Sequence, residues 1–427
     1  MLNKNTVKTT NNIFEKAIIW LLLLSPILHI YGLGPVNLCD LFTWSALLIG
    51  FYKQRISFKL PYKINRYFVY LLIVTFFSCL TSTVELFGRS FGVIHSFLVF
   101  SLFFSIKDCK YLYKSYKLLS LVSLLLFYIQ EVSYATVGIR VSGLIPFLPL
   151  NSEFSNFENT YSFREFLTHV TRSSSFFSEP AHFAQFLLPF IPLVMYFEKG
   201  WKRYLYVSIS IIALFLLKSG NGIVGLGVLL IVYSIYYLRY LSAFKKVILL
   251  AFISLFIAVG VGYIVSSEIG QKYMSRSEEI STVSDDADDA SGFVRIYLGY
   301  FIYDDYNIVE KIFGINNFTR LQTIINSNKF GYLLDGVLYF NTIQNFLLKA
   351  GVIGLIFYLL WLMGIYRKNN ICGKAMVITF FALSFMSSQY LTPIMILYLL
   401  FGHRIKMSYI NSNTDQSYNN SPICIKK

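Results

Sequence analysis

Residues 172–192 read Arg-Ser-Ser-Ser-Phe-Phe-Ser-Glu-Pro-Ala-His-Phe-Ala-Gln-Phe-Leu-Leu-Pro-Phe-Ile-Pro, a polar segment that turns apolar directly after Glu179-Pro180. Proline suits the first turn of a helix because that turn's N–H has no intrahelical partner. The pattern therefore predicts a helix starting at Pro180, with Glu179 at or beside its cap. Steps of three from Glu179 reach His182 and Gln185, so three polar side chains share one side of the first turns. Pro189 and Pro192 are expected to bend or loosen the helix further along. A carboxylate at such a rim can take a proton from an attacking hydroxyl, and ionisable groups at the edge of an apolar span are costly and often functional. The residues alone leave open the plainer reading, a polar stripe satisfied by neighbouring helices.

Arginines supply the complementary chemistry. Arg140 lies in Gly-Ile-Arg-Val-Ser-Gly, Arg172 leads the stretch above, and Arg276 and Arg295 lie in a second polar region. A guanidinium offers a planar fork that grips phosphate oxygens through two hydrogen bonds, so a group of them at a membrane surface suits a phosphorylated lipid headgroup. Any one of them is also explained as an interface snorkeller or a loop salt bridge. For Arg140 that plainer reading is preferred.

The elements that must position these groups are membrane helices. The chain is 56% hydrophobic and 14% charged, against about 25% charged in soluble domains, and its mean hydropathy is +0.57. About twelve apolar runs approach the roughly 20 residues a bilayer requires. They lie at 17–34, 36–52, 67–84, 90–106, 117–137, 180–197, 203–217, 222–240, 246–266, 342–365, 374–390 and 392–405. Lysine and arginine crowd alternate connections, among them Lys107, Lys110 and Lys114, Lys199 and Lys202, and Arg367 and Lys368. By the positive-inside rule both chain ends are cytoplasmic, which assigns the net charge of +15 to orientation and not to nucleic acid.

The expected organisation is 1–137 with helices 1–5, a long outward loop 138–179, helices 6–9 in 180–266, a second outward loop 267–341, helices 10–12 in 342–407, and a cytoplasmic disordered tail 408–427. The stretch from Arg295 to Phe313 is expected to pack as surface helices. The acidic run at 284–289 reads as a solvated loop in preference to a cation site. Five cysteines at 39, 79, 109, 372 and 424 have no paired spacing, so neither a disulfide framework nor a zinc site is expected. No cleavable signal peptide, internal repeat or nucleotide-binding loop is evident.

Four stretches give the chain a family likeness. They are Arg172 through Phe186, Lys218-Ser-Gly-Asn-Gly222, Ser291-Gly-Phe-Val-Arg295 followed by Ile312-Phe-Gly-Ile315, and Gln344-Asn-Phe-Leu347 through Gly351-Val-Ile-Gly354. In their order and their two-loop setting they resemble the O-antigen polymerase (Wzy-type) family and its wider superfamily with the O-antigen ligases. Ligases often carry His-Asn where this chain has Gln344-Asn345, which weakens the ligase reading.

The resemblance implies an all-α, polytopic, GT-C-like protein of the bacterial inner membrane with two large periplasmic loops. The implied reaction moves a growing glycan from undecaprenyl diphosphate to the terminal sugar of a new lipid-linked repeat unit, by an inverting, metal-independent route without a cofactor. Implied roles are Glu179 as base, Arg172 and Arg295 as diphosphate clamps, and Arg276, Arg140, His182, Lys218 and Asn345 as substrate contacts. Implied partners are undecaprenyl-diphosphate-linked glycans, membrane lipids, and a chain-length regulator and flippase of the same pathway. An O-antigen ligase is the nearest alternative, and a flippase or transporter for the same lipid-linked sugar is the alternative of another class.

Overall fold

The computed structural model describes residues 13–52, 60, 62–80, 82–152, 172–239, 242, 294–331 and 340–418. These residues are mostly helical. α1 (Ile13–Leu28) ends in a turn, and a minimal antiparallel hairpin of β1 (Gly32–Leu33) and β2 (Val36–Asn37) leads into α2 (Leu38–Tyr52). α3 (Tyr62–Ser78), α4 (Thr83–Phe104) and α5 (Cys109–Val137) follow, then α6 (Pro180–Leu187), α7 (Phe190–Phe197), α8 (Trp201–Leu216) and α9 (Gly220–Leu238). The next described stretch is a π-helical turn (Val294–Leu298) and three short helices, α10 (Gly299–Asp304), α11 (Ile308–Phe313) and α12 (Phe318–Ser327). α13 (Thr342–Tyr366), α14 (Ile371–Leu383) and α15 (Pro393–Tyr418) complete the bundle.

Five stretches among the described residues are long and apolar enough to cross a membrane: α4, α5, Pro180–Phe197 (α6 and α7 together), α9 and α13. α2, most of α3, and α14 are apolar but shorter. The expected span at 246–266, most of the loop at 138–179, and 267–293 and 332–339 of the second loop lie outside the described residues.

Several boundaries differ from expectation: α1 ends at Leu28 and α14 at Leu383, short of the expected 34 and 390. The α3–α4 turn was expected after residue 84, but it falls at Cys79–Ser82, because Ser82 caps α4 by accepting from the Glu85 N–H. Glu85 and Arg89 therefore stand inside α4 and not in a loop. At the other end, α15 continues to Tyr418, into the stretch expected to be a disordered tail. Extending a formed helix fixes one residue per hydrogen bond, which is far easier than nucleating a new one.

The Glu179 helix is the interior one. Its membrane-length window is 72% buried, against 28% for α4 and for α9. α9 approaches it through Gly222, where a Cβ would touch the Ala184 side chain, and Gly225, where one would collide with Leu188. The stretch Ile394–Phe401 of α15 is buried throughout and packs on α1, α4, α5, α13 and α14.

Pro189 breaks the interior helix into α6 and α7, as its missing N–H dictates. The break frees the carbonyls of Gln185 and Phe186. Tyr398 donates its hydroxyl to the first at 3.0 Å, and Tyr116 donates to the second. α13 breaks at Gly351, whose φ of 63° and ψ of −166° place it outside the helical region. Tyr70 donates to the Ala350 carbonyl at 2.9 Å and to Phe313 at 3.0 Å, while the Ile315 N–H donates to Leu348 at 2.8 Å. The α10–α12 segment is thereby stitched onto the broken helix. Irregular backbone at membrane depth survives where protein groups satisfy it in this way.

Candidate functional site

Glu179 occupies the cap position of α6 in extended conformation, but its side chain makes no capping bond. It is half-buried and forms no ion pair among the described residues. The carboxylate remains available for chemistry.

One turn further, His182 sets Nδ1 3.0 Å from the Ser178 hydroxyl. The charges of both Glu179 and Arg295 act on this imidazole. The His29 ring meets His182 edge-on, with centroids 6.0 Å apart and planes at 79°. His29 Nδ1 lies 2.9 Å from the Pro26 carbonyl, so that nitrogen carries the hydrogen and Nε2 is left as an acceptor. The Asn151 amide donates to the His29 carbonyl at 2.9 Å and fixes this turn.

Arg295 is exposed on the π-helical turn. Its backbone is held from α13: Asn341 Nδ2 donates to the Arg295 carbonyl at 3.0 Å, and Gln344 Nε2 donates to Ile296 at 2.8 Å. Asn341 and Gln344 also form the capping box of α13. Gly299 allows the close approach, since a Cβ there would fall 2.6 Å from Gln344 Cδ.

A second group surrounds the serine run. Arg172 donates to the Lys218 carbonyl, closing the end of α8, where Lys218 adopts a φ of 48° with its side chain exposed. Arg140 donates to Ser173 Oγ at 3.2 Å and stacks 3.6 Å above the Tyr134 ring. Both arginines line one small cleft with Gln130, Ser173, Ser174, Ser175 and Phe177. Gln130 is the clamp of that loop: its amide donates to Val141 (3.0 Å) and Ser175 (3.2 Å) and accepts from the Ser175 N–H (2.8 Å).

Two sequence candidates are occupied by structural work. Asn345 donates to Phe340, Asn341 and Ser388, and Gln185 is held by Gln389 while its carbonyl is held by Tyr398. Arg276 and the acidic run at 284–289 lie outside the described residues. No group of three or more potential metal ligands occurs among the described residues.

His29, Gln130 and Asn341 were not anticipated. His29 follows Pro26 at the end of the first apolar run and precedes Tyr-Gly-Leu-Gly, and a histidine at a span's rim is itself a signal. Asn341 and Gln344 spell a helix start in the sequence. Gln130, inside an apolar run, acquires meaning only once 172–178 folds over it.

The arrangement offers a proton acceptor (Glu179), an imidazole one turn away, and a guanidinium whose charge acts on that imidazole. Compared with known proteins, the chain matches no family model, no curated protein and no solved structure.

Proposed function

We propose that the chain is a membrane glycosyltransferase that polymerises lipid-linked glycan repeat units, in the manner of the O-antigen polymerases it resembles. The observation that carries the proposal is Glu179 at the head of the most buried of the five membrane-length stretches, with neither a cap bond nor an ion pair among the described residues, and with its charge and that of Arg295 both acting on His182. In this reading the terminal hydroxyl of the incoming repeat unit loses its proton to Glu179 as its oxygen bonds to the anomeric carbon of the growing glycan. The bond from that carbon to the diphosphate oxygen breaks, its electron pair leaves with undecaprenyl diphosphate, and the displacement inverts the anomeric centre. Arg295, Arg172 and Arg140 stabilise the departing negative charge, a task that fixed guanidiniums suit. No cofactor takes part.

The proposal includes twelve spans in the inner membrane, both termini in the cytoplasm, and Glu179 facing the periplasm. A flippase and a chain-length regulator act beside it. Gln344 bears on the ligase alternative: it stands where ligases often carry histidine, and its amide is committed to Ile296 and to the α13 cap. Deleting the gene and resolving surface polysaccharide by gel tests the reading. Product capped at one repeat is expected. Undecorated cells with accumulated long lipid-linked chains would indicate a ligase, and single lipid-linked repeats retained in the cytoplasm a flippase.

A further inference from the structure

The second polar region holds a helix whose polarity is reversed. α11 turns its apolar side chains outward: Ile308 is 77% exposed and Val309 64%, and Ile312 and Phe313 are exposed as well. Its charged groups turn inward. The Glu310 side chain is only 16% exposed, accepting from Arg320 Nε at 3.1 Å and from the Asn307 N–H at 3.0 Å. Lys311 is half-buried, with Nζ 6.0 Å from the Tyr303 ring centroid. The next helix has the ordinary polarity. In α12, Leu321, Ile324 and Ile325 are buried while Thr323 and Asn326 face outward. A helix bathed in water turns its apolar stripe to the core, so α12 suits water and α11 suits an apolar medium.

The backbone carries α11 alongside membrane helices. Gly299, at the start of α10, lies against Gln344 in the first turn of α13. By Ile312–Gly314 the chain has moved along α13 to Ala350 and Gly351, about 12 Å from Thr342 at 1.5 Å per residue. It then returns along α3. Tyr70 donates to the Phe313 carbonyl at 3.0 Å, Asn316 Nδ2 to Thr75 Oγ1 at 2.7 Å, and Asn317 Nδ2 to the Ser78 carbonyl at 3.2 Å. Non-helical backbone at membrane depth requires protein partners of this kind. The helices touched here expose apolar residues at the same level: Val69 and Ile73 flank Tyr70, and Val352 follows Gly351.

We infer that residues 308–317 form a re-entrant membrane element, with the outward face of α11 against lipid acyl chains in the leaflet where α13 starts, and α12 in the water beside it. Hydrocarbon is the occupant that reversed polarity calls for, and α13 is itself long and apolar enough to cross a membrane. Anchored in this way, the segment holds the turn that carries Arg295 at the membrane surface. The inference does not depend on the polymerase reading, because it uses side-chain polarity and backbone contacts alone.

The test uses the purified full chain in phosphatidylcholine nanodiscs. The photoreactive residue p-benzoylphenylalanine takes the place of Ile308, Val309 or Ile312 and, for reference, of Leu125 on α5 or Thr323 on α12. All five side chains are exposed, so each variant should keep the wild-type unfolding midpoint. Illumination joins the benzophenone to the C–H bonds it touches, and intact-mass and peptide spectra identify the adduct. The three α11 positions should gain the mass of one phosphatidylcholine in yields comparable with Leu125, and Thr323 should gain none. Absence of lipid adducts on α11 where Leu125 forms them would overturn the inference. So would a covalent dimer, which assigns the face to a second copy, or a cross-link within the chain, which assigns it to another segment. Equal lipid adducts at Thr323 would overturn the division between α11 and α12.

Discussion

Arg172 and Arg295 carry the same side chain in different circumstances, and that difference is testable. Arg172 closes α8 through the Lys218 carbonyl, whereas the described hold on Arg295 is on its backbone, through Asn341. Arg172→Lys should therefore lower both stability, by about 1.5–3 kcal/mol for a charged hydrogen bond, and activity. Arg295→Lys should lose about 100- to 1,000-fold in rate at matched folded protein, the scale set by losing one charge-stabilising donor. Calorimetry and a polymer assay on the same preparations separate the two. An Arg295→Lys enzyme with wild-type chain length would remove Arg295 from the chemistry.

At the opposite end of α7, Glu198 accepts from Lys117 at 2.7 Å and from the Tyr113 hydroxyl at 2.8 Å. Burial alone would raise its carboxyl, but the bonds from Lys117 and Tyr113 and the charges of Lys117 and Lys202 outweigh it and hold the group below its ordinary value of 4.5. A depressed carboxyl stabilises the fold above its unfolded pKa, and that contribution disappears as pH falls through the folded value. Wild type should lose thermal stability between about pH 5 and pH 3. Glu198→Gln should be less stable than wild type at neutral pH and flatter across that window, and identical acid limbs would contradict the role given to this pair.

At the scale of elements, two breaks shape the site, and they differ in how visible they are in the sequence. The Pro189 break is written there, because proline removes a donor wherever it stands in a helix. The Gly351 break is not, since a lone glycine in an apolar run is also compatible with an unbroken helix. Its φ is demanded by α11, whose Ile312 carbonyl would lie 2.3 Å from a Cβ at Gly351. Gly351→Ala should thus cost about 1–3 kcal/mol in backbone strain alone, read as a lower unfolding midpoint and faster proteolysis of the α10–α12 segment. An unchanged midpoint would mean that α13 straightens without loss.

The same contrast governs the site. Glu179 and His182 were legible because one helix carries them, and helical spacing is a local rule. The approach of Arg295 was suggested by family likeness alone, since the chain separates it from Glu179 by several helices. His29 and Gln130 were illegible for the same physical reason: each gains its role from a partner far along the chain. Ser82 and Glu85 are the opposite case, a local helix-start signal that the apolar run around them obscured.

For the whole molecule, the charge asymmetry of the loops predicts an orientation. Reporter fusions after Lys110, Lys199 and Lys368 should report cytoplasm, and fusions near Asn156 and Asp288 the far side. A cytoplasmic signal at Asn156 would turn the Glu179 rim toward the wrong leaflet for a reaction outside the cell. Four other membrane-length helices accompany the broken Pro180–Phe197 stretch, whose start sets Glu179 and His182 at the rim while tyrosines satisfy the carbonyls freed by its break.

The central claim is that Glu179 takes the acceptor's proton, and the most direct measurement is polymerisation by purified Glu179→Gln on lipid-linked repeat units, with thermal unfolding recorded in parallel. Glutamine preserves size and most hydrogen bonding but accepts no proton. Since Glu179 makes neither a cap bond nor an ion pair among the described residues, the variant should unfold at the wild-type temperature. It should still bind its lipid-linked substrate, and its rate should fall by about 100- to 10,000-fold. A Glu179→Gln enzyme that is equally stable and close to wild type in rate would contradict the account.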